Sequence, residues 1–317
     1  MRVLVAGGAG FIGSHLVDAM VARGDQVTIV DNFATGRESN LAHLDGHPAV
    51  SVVSHDITRA LPQAVTGGGF DLVCQLASPA SPVDFATMPL EILDVGSTGT
   101  RRLLDLATEH GARFFLASTS EVYGDPLVHP QPESYHGNVD PIGPRSCYDE
   151  AKRFSEALTM AYHRRHGVDV RIVRIFNTYG ERMRPDDGRV VTNFVAQALR
   201  GEPLTLYGDG QQTRSFCHVA DQVGGQLAVI DGSIATPVNV GNPHEITMRE
   251  LADTVIALTN SASTIVEVPL PPERSGDPMQ RCPDITTITE HLGWSPSVPL
   301  TEGLARMVRH FREHERI

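Results

Sequence analysis

The sequence contains 25 arginines and a single lysine, Lys152. The two cations are interchangeable on a solvated surface, but they differ where a compact ammonium with an adjustable pKa is needed. Lys152 closes the run Tyr148-Asp149-Glu150-Ala151-Lys152, so a phenol and the lone ammonium stand at i and i+4. On a helix they project from one face, one turn apart. A free tyrosine has a pKa of about 10, too high for a base at neutral pH, and a nearby ammonium favours the phenolate. The pair therefore has the makings of a proton-transfer couple in which the ammonium also reaches a ribose hydroxyl. Tyr/Lys pairs on solvated helix faces are common, but keeping the only lysine at this spacing favours the chemical reading.

A second motif opens the chain. Gly7-Gly8-Ala9-Gly10-Phe11-Ile12-Gly13 has the spacing G-x-x-G-x-x-G between an apolar run and a helical pattern. Gly7 permits the tight turn, Gly10 lets the backbone approach a pyrophosphate, and Gly13 lets helix and strand pack closely. The helix N-terminus adds unpaired N–H groups and a favourable dipole for the anion. Asp31 ends the next strand pattern, eighteen residues after Gly13, where a carboxylate would bond a ribose 2′-hydroxyl. That carboxylate repels a 2′-phosphate and favours NAD over NADP, although Arg37 nearby leaves the second cofactor open.

Elements that would position these groups alternate along the first half. Strand-like runs at 3–6, 27–30, 50–53, 72–76, 113–117 and 170–175 are separated by helical patterns at 11–23, 90–110 and 148–166. Such alternation implies a Rossmann-type, doubly wound parallel α/β sheet with helices on both faces. The rhythm then breaks. Proline and glycine cluster at 126–144, 185–188 and 269–283, and helical patterns at 190–200, 219–230, 248–260 and 300–312 alternate with short strands near 204–207, 238–240 and 265–268. The expected organisation is a dinucleotide-binding domain over 1–176, carrying the Tyr/Lys helix, and a smaller C-terminal α/β lobe over 177–317. The chain is expected to cross back near 215–245.

Composition narrows the class. The 317 residues are 41% hydrophobic and 20% charged, an ordinary globular balance. No stretch approaches the roughly 18–20 apolar residues needed to span a bilayer. Met1 leads straight into a strand pattern without a basic n-region, so no signal peptide is expected. Cys74, Cys147, Cys217 and Cys282 lack metal or disulfide spacing and suit free thiols in a reducing cytoplasm. A net charge of −12 argues against a sequence-independent nucleic-acid binder. Within that acidic chain, residues 171–220 carry seven arginines against five acids, a local excess suited to phosphate or carboxylate ligands.

Together the glycine turn, Tyr-x-x-x-Lys and the strand ending Thr119-Ser120-Glu121 resemble the extended short-chain dehydrogenase/reductase superfamily. Longer runs are similar to the UDP-glucuronate decarboxylases within it. They include Leu76-Ala77-Ser78-Pro79-Ala80-Ser81-Pro82, Ala117-Ser118-Thr119-Ser120-Glu121-Val122-Tyr123-Gly124-Asp125-Pro126 and Pro141-Ile142-Gly143-Pro144-Arg145-Ser146-Cys147-Tyr148-Asp149-Glu150. Further matches are Arg174-Ile175-Phe176-Asn177-Thr178-Tyr179-Gly180, Asp187-Gly188-Arg189-Val190-Val191, Gln212-Thr213-Arg214, Arg281-Cys282-Pro283-Asp284-Ile285 and Leu292-Gly293-Trp294. The likeness spans nearly the whole chain.

The resemblance implies a redox-neutral cycle on tightly held NAD, acting on UDP-glucuronate. Tyr148 removes the C4 hydroxyl proton, Lys152 lowers its pKa, and Thr119 shares the hydrogen bond. The C4 ketone then lies β to the carboxylate, carbon dioxide leaves, and return of the hydride gives UDP-xylose. Glu121 and Arg281 orient the hexuronate, and Ser120 bonds the departing carboxylate. Related 4,6-dehydratases carry Asp-Glu where Ser120-Glu121 stand here, and a serine cannot act as that acid. The dinucleotide contacts fall on Gly7, Gly10, Phe11, Ile12, Gly13, Asp31, Asn32, Asp56, Ile57, Leu76, Ala77, Ser78, Tyr148 and Lys152. For Asp56-Ile57 an adenine contact and a plain strand end weigh equally. Substrate contacts fall on Pro79, Asn177, Arg189, Val190, Asn193, Tyr207, Arg214 and Arg281, with Arg182 and Arg184 read as solvated or lid residues.

Three positions depart from the family pattern. Phe85 replaces a tyrosine, Gly96 an asparagine and Cys282 a lysine, which raises partial release of UDP-4-keto-pentose as a further outcome. The rival enzyme readings are a UDP-hexose 4-epimerase or 4,6-dehydratase. A rival of another class is a catalytically silent NAD-sensing scaffold, against which the joint presence of Tyr148 and Lys152 speaks. The helices at 90–110 and 148–166 have apolar positions on two faces, so a homodimer is expected, though that pattern also suits internal packing.

Overall fold

A computed structural model describes residues 1–269, 278–315 and 317. Its centre is a seven-stranded sheet containing β1 (Arg2–Ala6), β2 (Gln26–Asp31), β3 (Val50–Ser54), β4 (Leu72–Gln75), β5 (Arg113–Thr119) and β6 (Val170–Ile175), joined by the strand Pro237–Val240. The spatial order is Pro237–Val240, β6, β5, β4, β1, β2, β3, and every pairing is parallel. The chain winds outward from β1 in both directions. The crevice between the C-terminal ends of β1 and β4 is thus the topological switch point, where open α/β sheets bind ligands.

Side-chain alternation along the strands builds two cores. Val3 and Val5 of β1 point to one face, against Leu16, Val17 and Met20 of the helix Phe11–Ala22 and Val223 and Val229 of the helix Val219–Asp231. Leu4 and Ala6 point to the other, against Leu103, Leu104 and Leu106 of the helix Thr100–His110. The strand Pro237–Val240 pairs in parallel with β6 and forms one edge of the large sheet.

The second lobe has its own core. Helices Val190–Arg200, Met248–Thr259 and Leu300–His314 pack around the parallel pair Leu204–Tyr207 and Ile265–Val268. A three-stranded ribbon, with Thr213–Ser215 central between Glu245–Thr247 and Gln280–Arg281, faces the main cavity. Of the Pro/Gly cluster at 269–283, residues 270–277 lie outside the described residues.

One expected element differs. The helix over 90–110 is three segments: Pro89–Asp94, a π-turn Val95–Gly99, and Thr100–His110. The π-turn lies against the helix Ser146–His166, where a Cβ on Gly96 would sit 2.7 Å from the Ala151 Cβ. Close helix packing therefore accounts for glycine at a position where asparagine was expected as a brace. Ser155 Oγ donates to the Gly96 carbonyl at 2.7 Å and ties the two segments together. Among the described residues, no helix is long and apolar enough to cross a membrane.

Candidate active site

The main cavity, of about 500 Å³, runs from the switch point to the second lobe. At its sheet end Gly7 adopts φ +82°, and a Cβ there would lie 2.6 Å from the Ala77 nitrogen. A Cβ on Gly13 would sit 2.1 Å from the Gly7 carbonyl oxygen. Both positions are closed to any side chain, which leaves a bare backbone cradle. The helix Phe11–Ala22 has no side-chain cap and no acid in its first turn, so Phe11, Ile12 and Gly13 present uncompensated N–H groups at the cavity wall, while the Gly10 N–H donates to the Gly7 carbonyl at 3.2 Å. This is the donor set a pyrophosphate requires.

Asp31 accepts from Ala9 N and Phe33 N, both at 2.9 Å, and burial raises its carboxyl pKa against those two bonds. Each oxygen keeps a lone pair for a ribose hydroxyl. Arg37 donates to Glu315 at 2.6 Å, so the cation that left NADP open is already paired. Asn32 accepts from Ala34 N at the end of β2, and Asp56 accepts from both Thr58 N and its hydroxyl. Ile57 is a core side chain and offers only its backbone to an adenine. Leu76 and Ser78 line the cavity across the switch point, whereas Ala77 packs behind Gly7 and Pro79 offers its carbonyl to Ser78.

At the floor, Tyr148 and Lys152 lie on the first turns of the helix Ser146–His166. Lys152 Nζ donates to the Ala117 carbonyl at 2.9 Å and stands 5.7 Å from the Tyr148 ring centroid. Burial lowers the lysine to about 8, with Glu156 opposing. Burial also pushes the Tyr148 phenol up to about 12; the Thr119 hydrogen bond opposes this and the Glu121 charge adds to it. Desolvation is thus the largest influence on the phenol, with the Arg189 charge also opposing it. Phe85 stacks on Tyr148, centroids 4.8 Å apart and planes at 21°, so the departure at 85 keeps a ring and loses only a hydroxyl.

The third group is ionic. Arg281, fully buried, donates through Nη1 to Ser120 Oγ at 3.1 Å and through Nη2 to the Gly124 carbonyl at 2.8 Å. Its Nη1 also lies 3.3 Å from Glu121, which accepts from Arg145 at 2.6 Å. Burial would raise the Glu121 carboxyl, but Arg281 and Arg145 together hold it down to about 2. The result is a cationic recess beside the Tyr148 hydroxyl.

The opposite wall holds Asn177, Arg189, Val190, Asn193, Tyr207 and Arg214. Arg189 is braced by Asp187 at 2.8 Å and by the Ala80 carbonyl at 2.6 Å. Arg182 and Arg184, read from sequence as solvated or lid residues, instead line this cavity, pinned by Asp18 and Asp84. The reason is local: Arg182 takes φ +67°, turning the segment inward. Arg145 escaped the candidate set, although its place three residues before Tyr148 puts it one helical turn away on the same face.

Residues 4–307 match the family described as GDP-mannose 4,6 dehydratase. The chain is 52% identical over 98% of its length to UDP-glucuronic acid decarboxylase 1 of Arabidopsis thaliana, covering 70% of that protein. It is 49% identical over 98% of its length to UDP-glucuronic acid decarboxylase 1 of Danio rerio, covering 72%. A UDP-glucuronic acid 4-epimerase from Bacillus cereus, solved with UDP-glucuronic acid and NAD, superposes with a TM-score of 0.87 at 26% identity, over 99% of each chain. The chain belongs to the extended short-chain dehydrogenase/reductases and, within them, to the family of the UDP-glucuronic acid decarboxylases.

Proposed function

We infer that the protein is an NAD-dependent UDP-glucuronate decarboxylase that forms UDP-xylose. One observation carries the reading most directly: the buried Arg281 fork beside Ser120, in a recess next to Tyr148, supplies paired donors for a carboxylate.

Gly7, Gly10, Phe11, Ile12 and Gly13 hold the cofactor's pyrophosphate, and Asp31 with Asn32 holds its adenosine ribose. Leu76, Ala77 and Ser78 flank it across the sheet, with Asp56 and Ile57 at the adenine. NAD, when bound, would supply a hydride acceptor and a positive charge to this site. Tyr148 accepts the proton of the sugar C4 hydroxyl, Thr119 shares that hydrogen bond, and Lys152 orients a ribose hydroxyl. The C5–C6 bond of the resulting β-keto acid then breaks. Its electron pair delocalises from C5 onto the C4 oxygen, and C5 takes up a proton; return of the hydride to C4 and of the Tyr148 proton to the C4 oxygen then gives UDP-xylose. Arg281 and Ser120 position the carboxylate, and the anionic Glu121 keeps Arg281 in place. Asn177, Arg189, Val190, Asn193, Tyr207 and Arg214 receive the uridine diphosphate, while Pro79, which does not line the cavity, is left supporting Ser78.

Ser120 disfavours dehydration, because a serine hydroxyl is too weak an acid to expel the C6 oxygen. Epimerisation at C4 of the same substrate is the second reading, favoured by the Bacillus cereus neighbour. Proton NMR of the protein with UDP-glucuronate and NAD separates the two. Growth of pentose C5 methylene signals supports decarboxylation, and a galacturonate C4 signal with C6 retained supports epimerisation. Signals of a 4-keto-pentose measure partial release.

The quaternary proposal is a homodimer through the helices Pro89–Asp94 and Ser146–His166, where Leu90, Leu93 and Phe154 are 70%, 39% and 46% exposed. Light scattering at micromolar concentration tests it. The four buried free cysteines suit work in a reducing cytoplasm.

A further inference from the structure

Decarboxylation of a carboxylate consumes a proton. The carbon dioxide leaves without one, and the new C–H bond at C5 must take one from solvent in every turnover. This inference rests on the decarboxylase reading, and it asks where that proton enters once cofactor and sugar fill the main cavity.

A second cavity, of about 220 Å³, lies behind the Arg281 recess. It shares Glu121, Arg145 and Arg281 with the main one, and Asn138, Asp140 and Asp149 form much of the rest of its wall. Asp149 follows Tyr148 on the helix Ser146–His166 and is only 6% exposed. Its Oδ1 finds no hydrogen-bond partner among the described residues, and neither does the buried Nε of Arg281. Unpaired polar atoms lining a polar cavity of this size are sites for ordered water.

We propose that Asp149, with water in this second cavity, stores the proton consumed in each turnover and passes it toward the sugar C5 through water held by Glu121 and Arg281. The carboxyl titrates where such a role needs it. Burial, then the Glu121 charge, raise Asp149 to about 7, with Arg145 and Arg281 opposing and Glu150 adding. Asp125 and Asp140, from the loops across the cavity, add further acid to the same wall. Glu121 itself, held at about 2, is too strong an acid to store a proton near neutrality. It orients the water instead. Asp149 is therefore a proton-storing residue that acts through solvent and does not touch the sugar.

The test compares the wild type with Asp149→Asn in two assays on the NAD-loaded protein. Steady-state carbon dioxide release from UDP-glucuronate needs C5 protonation to complete each turnover, whereas oxidation of UDP-xylose at C4, read as absorbance at 340 nm, does not. The proposal expects carbon dioxide release to fall about tenfold with KM unchanged. It also expects the wild-type loss of activity above pH 7 to vanish in the variant, while UDP-xylose oxidation proceeds as before. Asn138→Leu, which fills the cavity from the far wall, is expected to give the same split. Carbon dioxide release and a pH profile equal to wild type in both variants would overturn the proposal, as would equal loss in both assays. A wild type that releases no carbon dioxide sinks the decarboxylase reading instead, and the proton route with it.

Discussion

Arg281 and Arg214 are register partners on adjacent parallel strands, Gln280–Arg281 beside Thr213–Ser215. One rung of a short ribbon thus carries two guanidinium residues, and both line the main cavity. Arg281 turns toward Ser120 and Glu121, while Arg214 is held by the carbonyls of Thr213 and Met279. The ribbon couples the proposed carboxylate site to the proposed diphosphate site through backbone hydrogen bonds, so the two anions of one substrate would be measured against a fixed spacing.

Replacing Arg281 with methionine removes the fork. Carbon dioxide release from UDP-glucuronate is expected to fall about 10²–10³-fold, the usual cost of losing a preorganised donor to developing charge. Oxidation of UDP-xylose, which has no carboxylate, is expected to change far less. Parallel stopped-flow assays of both substrates check this.

Tyr148→Phe deletes one oxygen and leaves the stack on Phe85 in place. Cofactor affinity and thermal midpoint are expected to stay near wild type, while kcat drops by about 10²–10⁴. An unchanged kcat would remove Tyr148 from the proposed proton transfer.

Asp149→Asn carries a stability prediction separate from its kinetics. The folded carboxyl is raised from 3.8 to about 7, so between those values the folded state binds more protons than the unfolded one. Wild-type stability therefore falls as pH rises through that window, and the neutral amide escapes the loss. The variant is expected to be more stable than wild type at pH 8 by roughly 2–4 kcal/mol and no more stable near pH 4. Urea melts at the two pH values give the sign.

Glu315→Ala would release Arg37 from its 2.6 Å partner. A freed guanidinium near Asp31 favours a 2′-phosphate, so the preference for NAD over NADP is expected to narrow about fivefold. Fluorescence titration with each cofactor measures it.

Phe85→Tyr restores a hydroxyl at the stacked ring. If that group grips the keto sugar, the share of UDP-4-keto-pentose among the products falls, as integrated NMR signals would record.

Much of the fold was legible because burial imposes a period on the sequence. The patterns over 170–175, 190–200, 204–207 and 265–268 coincide with Val170–Ile175, Val190–Arg200, Leu204–Tyr207 and Ile265–Val268. The π-turn Val95–Gly99 was not legible, since an extra residue in one turn barely disturbs an apolar stripe. Tyr148, Lys152 and the glycine turn announce themselves by spacing. Asp149 does not: its importance lies in burial against Glu121 and Arg281, which come from distant segments of the chain. Arg182 was misread for a similar reason, because the left-handed turn that carries it inward has no glycine to mark it.

The lone lysine has a consequence for chemical labelling. Its amine is buried beneath the tyrosine and bonded to the Ala117 carbonyl, so the surface offers acylating reagents no lysine at all. Apart from the N-terminal amine, a succinimidyl ester or pyridoxal phosphate with borohydride finds only the active-site floor. The extent of modification at that single residue would report how often the cleft opens, and protection by ligand would give its occupancy without any turnover.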